Sequence, residues 1–463
     1  MLPTKIVVIG AGSASFGLNT MGAIMRSKKL AGSQLVLVDQ NAETLAIVRR
    51  LADRFNREWD AKLILSSTTR TEEALPGAKF VVSAIEVPPR ERLWRMDWEI
   101  PLRHGVRQPY AENGGPGGFA HAARNIGPVL KIAHMMDEAC PDAWFINYTN
   151  PMVRICDAIH RYSKIKAIGL CHQILAGYGM VGYLLADKLG IEVPAGTIST
   201  HADPKYWKVL QEIVRKAKQT IDIKAAGLNH FTWMLDVRDM RNGADLYPLV
   251  RQRWAKADAS FEPLTHRLID AFGLMPIPGD GHLCEYLPWV SDPLTKPWER
   301  YGLQLYDWER AEKGRDEGYK RIALMGEGKK SIAPLTKADS EGALEMIENI
   351  AGAGNHYHLA VNLPNDGHIT NLPQDAIVET PGLISGWGAR GFPIGALPEG
   401  IAELLRQELV RVRFSVDAAA TGDRQAALQC LLLDPVLSDI ETAKAVLDDY
   451  LVSYRQYLPQ FWQ

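Results

Sequence analysis

The chain has 463 residues, of which 46% are hydrophobic and 23% charged, and its formal net charge is −2 at pH 7. This ordinary globular composition allows two domains or one large α/β body, and the lack of a basic excess or a membrane-length apolar run argues against nucleic acid and membrane partners. Five widely spaced cysteines without a CxxC pattern are typical of free thiols, so we expect a cytoplasmic enzyme.

The first half of the chain alternates short β-branched runs with helical patterns, which predicts βαβ units in a parallel sheet. The helical patterns include Ala42–Trp59 and Ile126–Ala139. The predicted strands are Lys5–Ile9, Gln34–Val38, Phe80–Ala84, Ala143–Asn147 and Lys166–Gly169.

The first strand leads into a glycine-rich turn, since residues 7–17 read VVIGAGSASFG. Gly10 permits a tight turn, Gly12 lets the backbone approach a pyrophosphate, and the helix start that follows supplies N–H donors. Ser15 replaces the usual third glycine, so the motif is incomplete. Asp39 ends the second strand, where a carboxylate accepts both ribose hydroxyls and favours NAD over its 2′-phosphorylated relative.

The turn therefore predicts an NAD site, and an ordinary βαβ turn without a ligand is the alternative. The predicted cofactor-binding residues are Gly10, Gly12, Ser13, Ser15, Phe16, Asp39 and Glu86.

Cys171 and His172 follow the strand at 166–169, at the carboxyl end where open α/β sheets place their ligands. Together with the distant His230, Cys171 could bind a divalent metal and leave positions open for substrate and water. From spacing alone, core or surface roles for both side chains remain open.

The pattern is less regular after about residue 195. Lys224–Leu235 predicts a strand or extended segment, and a loop rich in Pro and Gly follows at Met275–Gly281. Ser340 is predicted to cap a helix over Glu341–Ile350. Apolar residues spaced four, three and four positions apart between Leu405 and Val416 predict an amphipathic helix, whose ordinary role is core packing.

We therefore expect an α/β fold in two parts. Residues 1–195 would form a Rossmann-like domain with a doubly wound parallel sheet, and residues 196–463 a mixed α/β domain packed against it.

Several motifs recur in one order along most of the chain, and together they resemble glycoside hydrolase family 4. They are GAGSASF at 10–16, NGGPGG at 113–118 followed by Arg124-Asn125, NPM at 150–152, GLCHQ at 169–173, GLNHFTW at 227–233, HLCEYLP at 282–288, VNLPN at 361–365 and NLP at 371–373. The resemblance implies a lactate/malate dehydrogenase-like fold, NAD, a divalent metal that is usually Mn²⁺, and a homodimer or homotetramer. The second domain would then hold substrate, metal and oligomer contacts.

The resemblance also implies a redox route to hydrolysis, outside the usual two-carboxylate mechanism. NAD⁺ takes a hydride from C3 of the sugar, the metal polarises the ketone and O2, and a side-chain base removes the C2 proton. The aglycone then leaves C1 by elimination, water adds to the enone, and the hydride returns to C3.

Residue by residue, Cys171 and His230 match the family's metal ligands. Asn150 matches the asparagine that holds sugar hydroxyls, and His172 occupies the position where some members carry an acid. Asp280 is the first candidate for the C2 base.

Tyr286 is the second candidate for this base, and a plain turn role for Asp280 remains open. Further predicted substrate contacts are Arg90, Glu112 and His282.

Two departures bear on the sugar. Glu112 stands where a shorter polar or acidic residue is expected, and Gln173 stands where better-known members have Ser, Gly or Glu. The pair Cys171-His172 itself resembles the α-glycosidase branch of the family. Arg90, Arg92 and Arg107 flank the expected site and suit an anionic group such as carboxylate, sulfonate or phosphate. Solvated or helix-pairing roles for these arginines remain open.

Two other functions fit parts of the sequence. A simple NAD-dependent dehydrogenase of a sugar or hydroxy acid would accumulate NADH, and a cofactor-binding regulator would show no turnover. The pair Cys171 and His230 favours the glycosidase, because hydroxy-acid dehydrogenases of this fold need no metal.

Overall fold

The structure is a computed structural model of the chain and describes residues 3–13, 16–194, 207–337 and 340–463. Two sequence predictions lie outside the described residues: the cofactor residue Ser15 and the domain boundary at 195–196.

A parallel sheet occupies the N-terminal half. Its strands are β1 (Lys5–Ile9), β2 (Gln34–Val38), β3 (Ile64–Thr68), β4 (Phe80–Ser83), β5 (Trp144–Asn147) and β6 (Lys166–Gly169). They lie in the order β3-β2-β1-β4-β5-β6 with parallel pairing throughout. This is the strand order of a dinucleotide-binding Rossmann fold.

The sheet continues without a break into an antiparallel half. Its strands are β7 (Ile221–Leu228), β8 (Phe231–Asp239), β9 (Met275–Pro276), β10 (Asn355–Pro364), β11 (Ile377–Ser385) and β12 (Gly388–Gly391). The order is β6-β10-β11-β7-β8-β9, and β12 pairs with β11. The predicted α/β class, with a parallel first half and a mixed second half, is confirmed.

Helices cover both faces of the sheet. They are α1 (Phe16–Arg26), α2 (Ala42–Glu58), α3 (Thr71–Ala74), α4 (Arg90–Arg103), α5 (Gly115–Ala139), α6 (Met152–Tyr162), α7 (Ile174–Leu184), α8 (Trp207–Thr220), α9 (Tyr247–Trp254), α10 (Pro263–Phe272), α11 (Asp280–Leu283), α12 (Pro297–Arg300), α13 (Trp308–Gly326), α14 (Ala343–Ala351), α15 (Glu399–Thr421), α16 (Arg424–Leu432) and α17 (Ile440–Ser453). None of these helices is both long and apolar enough to cross a membrane.

The alternation of side chains along β1 shows why the strand is apolar throughout. Val7 and Ile9 belong to the hydrophobic core on one face of the sheet, whereas Ile6 and Val8 belong to the core on the other. Since successive residues of a strand point to opposite faces, a strand that is covered on both sides needs an unbroken apolar run.

Three predictions about local structure need correction. Lys224–Leu235 is not one extended segment, because the chain reverses between β7 and β8 at Asn229 and His230, where His230 has φ 63°. The loop expected at Met275–Gly281 contains β9 and the first residues of α11.

The helix expected from Glu341 begins instead at Ala343, after Gly342 with φ 101°. Its N-cap residue is therefore Gly342 and not the predicted Ser340, although Ser340 Oγ accepts a hydrogen bond of 3.0 Å from the Leu344 amide in the first turn.

Candidate active site

The glycine-rich turn joins β1 to α1 and contacts the end of β2. Gly10 has φ 80°, and a Cβ on it would lie 2.5 Å from the Ala84 carbonyl oxygen. The amides of Gly10 and Ala11 both donate to the Val38 carbonyl, at 3.0 and 3.1 Å. Only glycine fits this conformation and this closeness, so the first position of the turn is fixed by sterics.

Asp39 holds the second half of the turn. Its Oδ2 accepts a bond of 2.9 Å from the Gly12 amide, and its Oδ1 accepts one of 2.9 Å from the Asn41 amide. A Cβ on Gly12 would lie 2.6 Å from that same Oδ2. The turn and the Asp39 carboxylate, which is expected to bind ribose, are thus held together by a hydrogen bond. Ser13 and the start of α1 follow the turn in the chain.

Glu86 follows β4 and contacts one imidazole and one guanidinium group. His121 Nε2 lies 3.1 Å from Glu86 Oε1, and Arg90 Nε bonds to Glu86 Oε2. Burial would raise the pKa of Glu86, but the charges of Arg90 and His121 lower it to about 2. The carboxylate predicted to contact the cofactor is therefore ionised and held by protein groups.

Side chains from four separate segments meet at the carboxyl end of β6. Cys171 Sγ lies 3.5 Å from His230 Nε2. The rings of His230 and His282 stack with centroids 4.3 Å apart and an interplanar angle of 9°. Ligand atoms of Glu112, His230 and His282 lie within 4.8 Å of one another. The structure therefore brings together both predicted metal ligands and two predicted substrate contacts.

This donor set fits a divalent metal. Burial lowers the pKa of His230 well below its ordinary value, with His282 and His172 adding to the effect, so the imidazole is neutral and can ligate. Burial raises the pKa of the Cys171 thiol, so a thiolate there needs a cation beside it. Among the described residues, nothing hydrogen-bonds to the buried His230 Nδ1. Sulfur, imidazole and carboxylate ligands together suit a borderline transition metal.

A buried carboxylate organises the segment that carries Glu112. Glu285 Oε2 accepts bonds from the backbone amides of Glu112, Asn113 and Gly114 at 2.8, 2.6 and 3.2 Å, directly before α5. Its other oxygen lies 3.3 Å from His282 Nδ1. Sequence reasoning missed this role, although Glu285 stands in the HLCEYLP motif three residues after His282.

Asn150 joins the same cluster. Its Nδ2 donates to Glu112 Oε1 at 3.1 Å, while its buried Oδ1 has no hydrogen-bond partner among the described residues. An amide held in this way presents a ready acceptor to a sugar hydroxyl. The predicted sugar-binding role of Asn150 is compatible with this position.

Two further polar contacts fix the hairpin of His230. Gln173 Oε1 accepts from the His230 amide at 3.0 Å, so the residue after Cys-His supports the metal ligand. On the other side, the buried Glu379 accepts bonds of 2.7 and 2.8 Å from the amide groups of Asn229 and Asn362. Glu379 lies in β11, outside every motif that the sequence analysis singled out.

His172 extends from the cluster toward solvent, with 66% of its side chain exposed. Its Nδ1 lies 3.1 Å from Glu341 Oε2, a residue of the C-terminal half that sequence reasoning did not single out.

Asp280, the first candidate for the C2 base, is occupied elsewhere. Its Oδ2 accepts from the Leu264 amide at 2.8 Å, and its Oδ1 accepts from the amide and hydroxyl of Thr265 at 2.8 and 2.7 Å. Asp280 thus caps the N-terminus of α10. The hydroxyl of Tyr286, the second candidate, lies 3.4 Å from the carbonyl of Asn229, the neighbour of His230.

The three predicted arginines differ in their surroundings. Arg90 bonds to Glu86 and lies over the Trp94 ring, and Arg92 is exposed. Arg107 lies 3.9 Å from the centroid of Trp298, and its buried Nη1 has no hydrogen-bond partner among the described residues.

The fold and the cluster define an α/β enzyme with its site at the carboxyl end of a Rossmann-type sheet. The model of the family 4 glycosyl hydrolases matches residues 5–185, and the model of the family 4 C-terminal domain matches residues 225–437. The chain is 31% identical to the alpha-glucosidase of Erwinia rhapontici, over 96% of this chain and 97% of that protein. The chain belongs to glycosyl hydrolase family 4, and the resemblance of its motifs is confirmed.

Solved structures agree with this assignment. The Bacillus subtilis protein lplD is 26% identical, covers 97% of this chain and 100% of its own, and superposes with a TM-score of 0.82. A 6-phospho-alpha-glucosidase from gut microorganisms, solved with NAD and Mn²⁺, is 21% identical, covers 99% of this chain and 100% of its own, and gives a TM-score of 0.78. At that identity the second likeness concerns the fold alone.

Proposed function

We propose that this enzyme hydrolyses α-glycosides with NAD⁺ and a divalent metal, of which Mn²⁺ is the first to test. The observation that carries the proposal is the 3.5 Å approach of Cys171 Sγ to His230 Nε2, beside Glu112 and His282. This cluster lies at the carboxyl end of the sheet whose first turn is shaped for a dinucleotide. The family membership and the alpha-glucosidase relative support the same activity.

When bound, NAD⁺ would supply a hydride acceptor at C3 of the sugar, and the metal would supply a Lewis acid at the C2 and C3 oxygens. The protein holds the groups in place. Cys171 and His230 would ligate the metal, with Glu112 and His282 beside them. Asn150 would accept a bond from a sugar hydroxyl, since its Oδ1 lacks a described partner.

For proton transfer at C2 we propose Tyr286 rather than Asp280. Both Asp280 oxygens are used by the N-terminus of α10, whereas the Tyr286 hydroxyl lies at Asn229, next to His230. We assign the proton that the leaving aglycone needs to His172, the exposed imidazole after Cys171. The contrast between Tyr286→Phe and Asp280→Asn tests the first assignment: exchange of the C2 proton with solvent should be lost only in Tyr286→Phe.

The experiment that tests the proposal is a panel of 4-nitrophenyl glycosides assayed with the purified protein after removal of cofactor and metal. Hydrolysis of α-glycosides should return only when NAD⁺ and Mn²⁺ are both added back, without net NADH at 340 nm. Hydrolysis without either addition would overturn the proposal. Steady NADH accumulation would identify a dehydrogenase, and binding of NAD⁺ without any turnover would identify a regulator.

Anionic α-glycosides, such as uronides, sulfoquinovosides or 6-phosphoglycosides, form a second candidate substrate class. Arg107 favours it, because its buried Nη1 has no described partner and its stacking on Trp298 leaves the edge of the guanidinium available for a bidentate anion. Arg107→Lys should then lower kcat/KM for the anionic glycoside and leave the neutral glycoside unchanged. Equal effects on both would favour the neutral class.

We further propose a cytoplasmic homodimer or homotetramer with an NAD-binding domain over 1–195 and a substrate- and metal-binding domain over 196–463. The two family models, which match 5–185 and 225–437, support a division between them, and the five free cysteines support a reducing compartment. Light scattering on the eluting protein measures the oligomer, and limited proteolysis near residue 195 tests the boundary.

A further inference from the structure

The segment before α14 reaches the active site from the C-terminal half of the chain. Glu341 Oε2 lies 3.1 Å from His172 Nδ1, and the two side chains are 24% and 66% exposed. His172 directly follows the metal-ligand candidate Cys171, so Glu341 reaches the cluster at this imidazole.

The backbone around Glu341 is held in an unusual shape. Glu341 has φ 52° and Gly342 has φ 101°, so two successive residues adopt positive φ. A Cβ on Gly342 would lie 2.3 Å from the His358 ring, so glycine is required there. A non-glycine residue at positive φ costs free energy, of order 1 kcal/mol or more, and persists only where the surroundings impose it.

Hydrogen bonds on both sides anchor this turn. The Tyr148 hydroxyl, at the end of β5, donates to the Ser340 carbonyl at 2.6 Å and accepts from the Ala343 amide at 3.1 Å. Ser340 Oγ accepts from the Leu344 amide and bonds to Glu345 at 3.1 Å. The position of Glu341 is therefore set by the sheet and by the helix, and does not depend on the contact with His172.

We propose that Glu341 is a positioning residue that fixes the tautomer and ring orientation of His172. A carboxylate only accepts hydrogen bonds, so Nδ1 carries the proton shared with Glu341, and Nε2 is the nitrogen that faces the reaction. The inference rests on the proposed function in one respect, the role of His172 as proton donor. There, the imidazolium form of His172 gives its Nε2 proton to the glycosidic oxygen as the C1–O bond breaks and its electron pair moves to that oxygen, which leaves the neutral imidazole protonated at Nδ1 beside Glu341.

The contact itself is tested by NMR of protein labelled with ¹⁵N-histidine, with His172→Asn to assign the signal. Wild-type His172 should show the ¹⁵N chemical shift of a protonated Nδ1. Glu341→Ala and Glu341→Gln should both change that signal, because Gln removes the charged acceptor. Glu345→Gln, in the first turn of α14 and bonded to Ser340, is the matched control and should leave the signal unchanged. A His172 spectrum that is identical in wild type and Glu341→Ala would overturn the proposal.

The catalytic consequence is tested with two leaving groups. Glu341→Ala should lower kcat/KM by about ten- to hundredfold for a methyl α-glycoside, whose leaving group needs a proton, and by only a few fold for a 4-nitrophenyl α-glycoside. Equal losses for both substrates would mean that Glu341 has no link to protonation and would contradict the proposal. A wild-type enzyme inactive on every glycoside would refute the proposed function instead, and the NMR result would still decide the contact.

Discussion

The Glu285 carboxylate lies 2.6 Å from the backbone amide of Asn113. The same oxygen, Oε2, also accepts hydrogen bonds from the backbone amides of Glu112 and Gly114. The amides directly before α5 could bind an anion, and here the protein's own Glu285 carboxylate fills that place. Because Glu285 also contacts His282, it joins the glycine-rich run to the predicted metal and substrate groups.

We expect Glu285→Ala to lower the free energy of unfolding by about 2–4 kcal/mol, because three amides would lose a charged acceptor in a buried place. Urea denaturation followed by circular dichroism measures the change. Glu309→Ala, on the exposed start of α13, is the control and should stay within about 0.5 kcal/mol of wild type. A Glu285→Ala protein as stable as wild type would mean that the contact contributes nothing.

The cofactor turn is tested by Gly12→Ala. The new Cβ would lie 2.6 Å from Asp39 Oδ2, so the turn and the carboxylate that we predict to bind the ribose must move apart. NAD⁺ affinity, measured by titration calorimetry, should fall at least about tenfold. Gly127→Ala, in α5 with open space around it, should keep wild-type affinity and gain a little stability. Unchanged NAD⁺ binding in Gly12→Ala would place the cofactor elsewhere.

Cys171→Ala tests the metal site directly. Loss of one ligand should weaken Mn²⁺ binding by at least about tenfold, as measured by electron paramagnetic resonance of the free ion. Cys430→Ala, which removes a buried thiol of α16, controls for the loss of a cysteine and should bind Mn²⁺ as wild type does. If both variants bind alike, Cys171 is not a ligand.

The raised pKa of Asp280 predicts that the stability of the protein depends on pH. Burial and the neighbouring Glu262 raise its pKa from 3.8 to about 7. The folded state therefore binds a proton more tightly than the unfolded state, so this residue lowers stability as pH rises from about 4 to about 7. The difference in unfolding free energy between wild type and Asp280→Asn should shrink over that range. A difference that stays constant with pH would mean that Asp280 titrates normally.

Sequence periodicity predicted the first half of the sheet well for a physical reason. β1 and β2 are covered on both faces, so each contains an unbroken run of four apolar residues. Both predicted strands have the same first and last residues as the observed ones. The edge strand β3 was missed because its sequence, ILSST, is largely polar and Ile64 is 60% exposed. The start of α5 was missed because NGGPGG resembles a loop.

The motifs named the residues of the candidate site, but not the contacts between them. Glu285 and Glu341 act on groups far away in the chain, 172 residues away in the case of Asn113. No local pattern encodes such a pairing. For Asp280 the sequence left two roles open, a base and a turn residue, because it stands in a Pro/Gly loop. Its hydrogen bonds to the N-terminus of α10, which favour a structural role, depend on a helix that no local pattern places there.

The most direct measurement of the central claim is hydrolysis of a 4-nitrophenyl α-glycoside in D₂O with NAD⁺ and Mn²⁺, followed by NMR of the released sugar. The account predicts deuterium at C2, ordinary hydrogen retained at C3, and no NADH at steady state, because the hydride leaves and returns while the C2 proton exchanges with solvent. A sugar released with its C2 hydrogen fully retained, or released equally fast without NAD⁺, would contradict it.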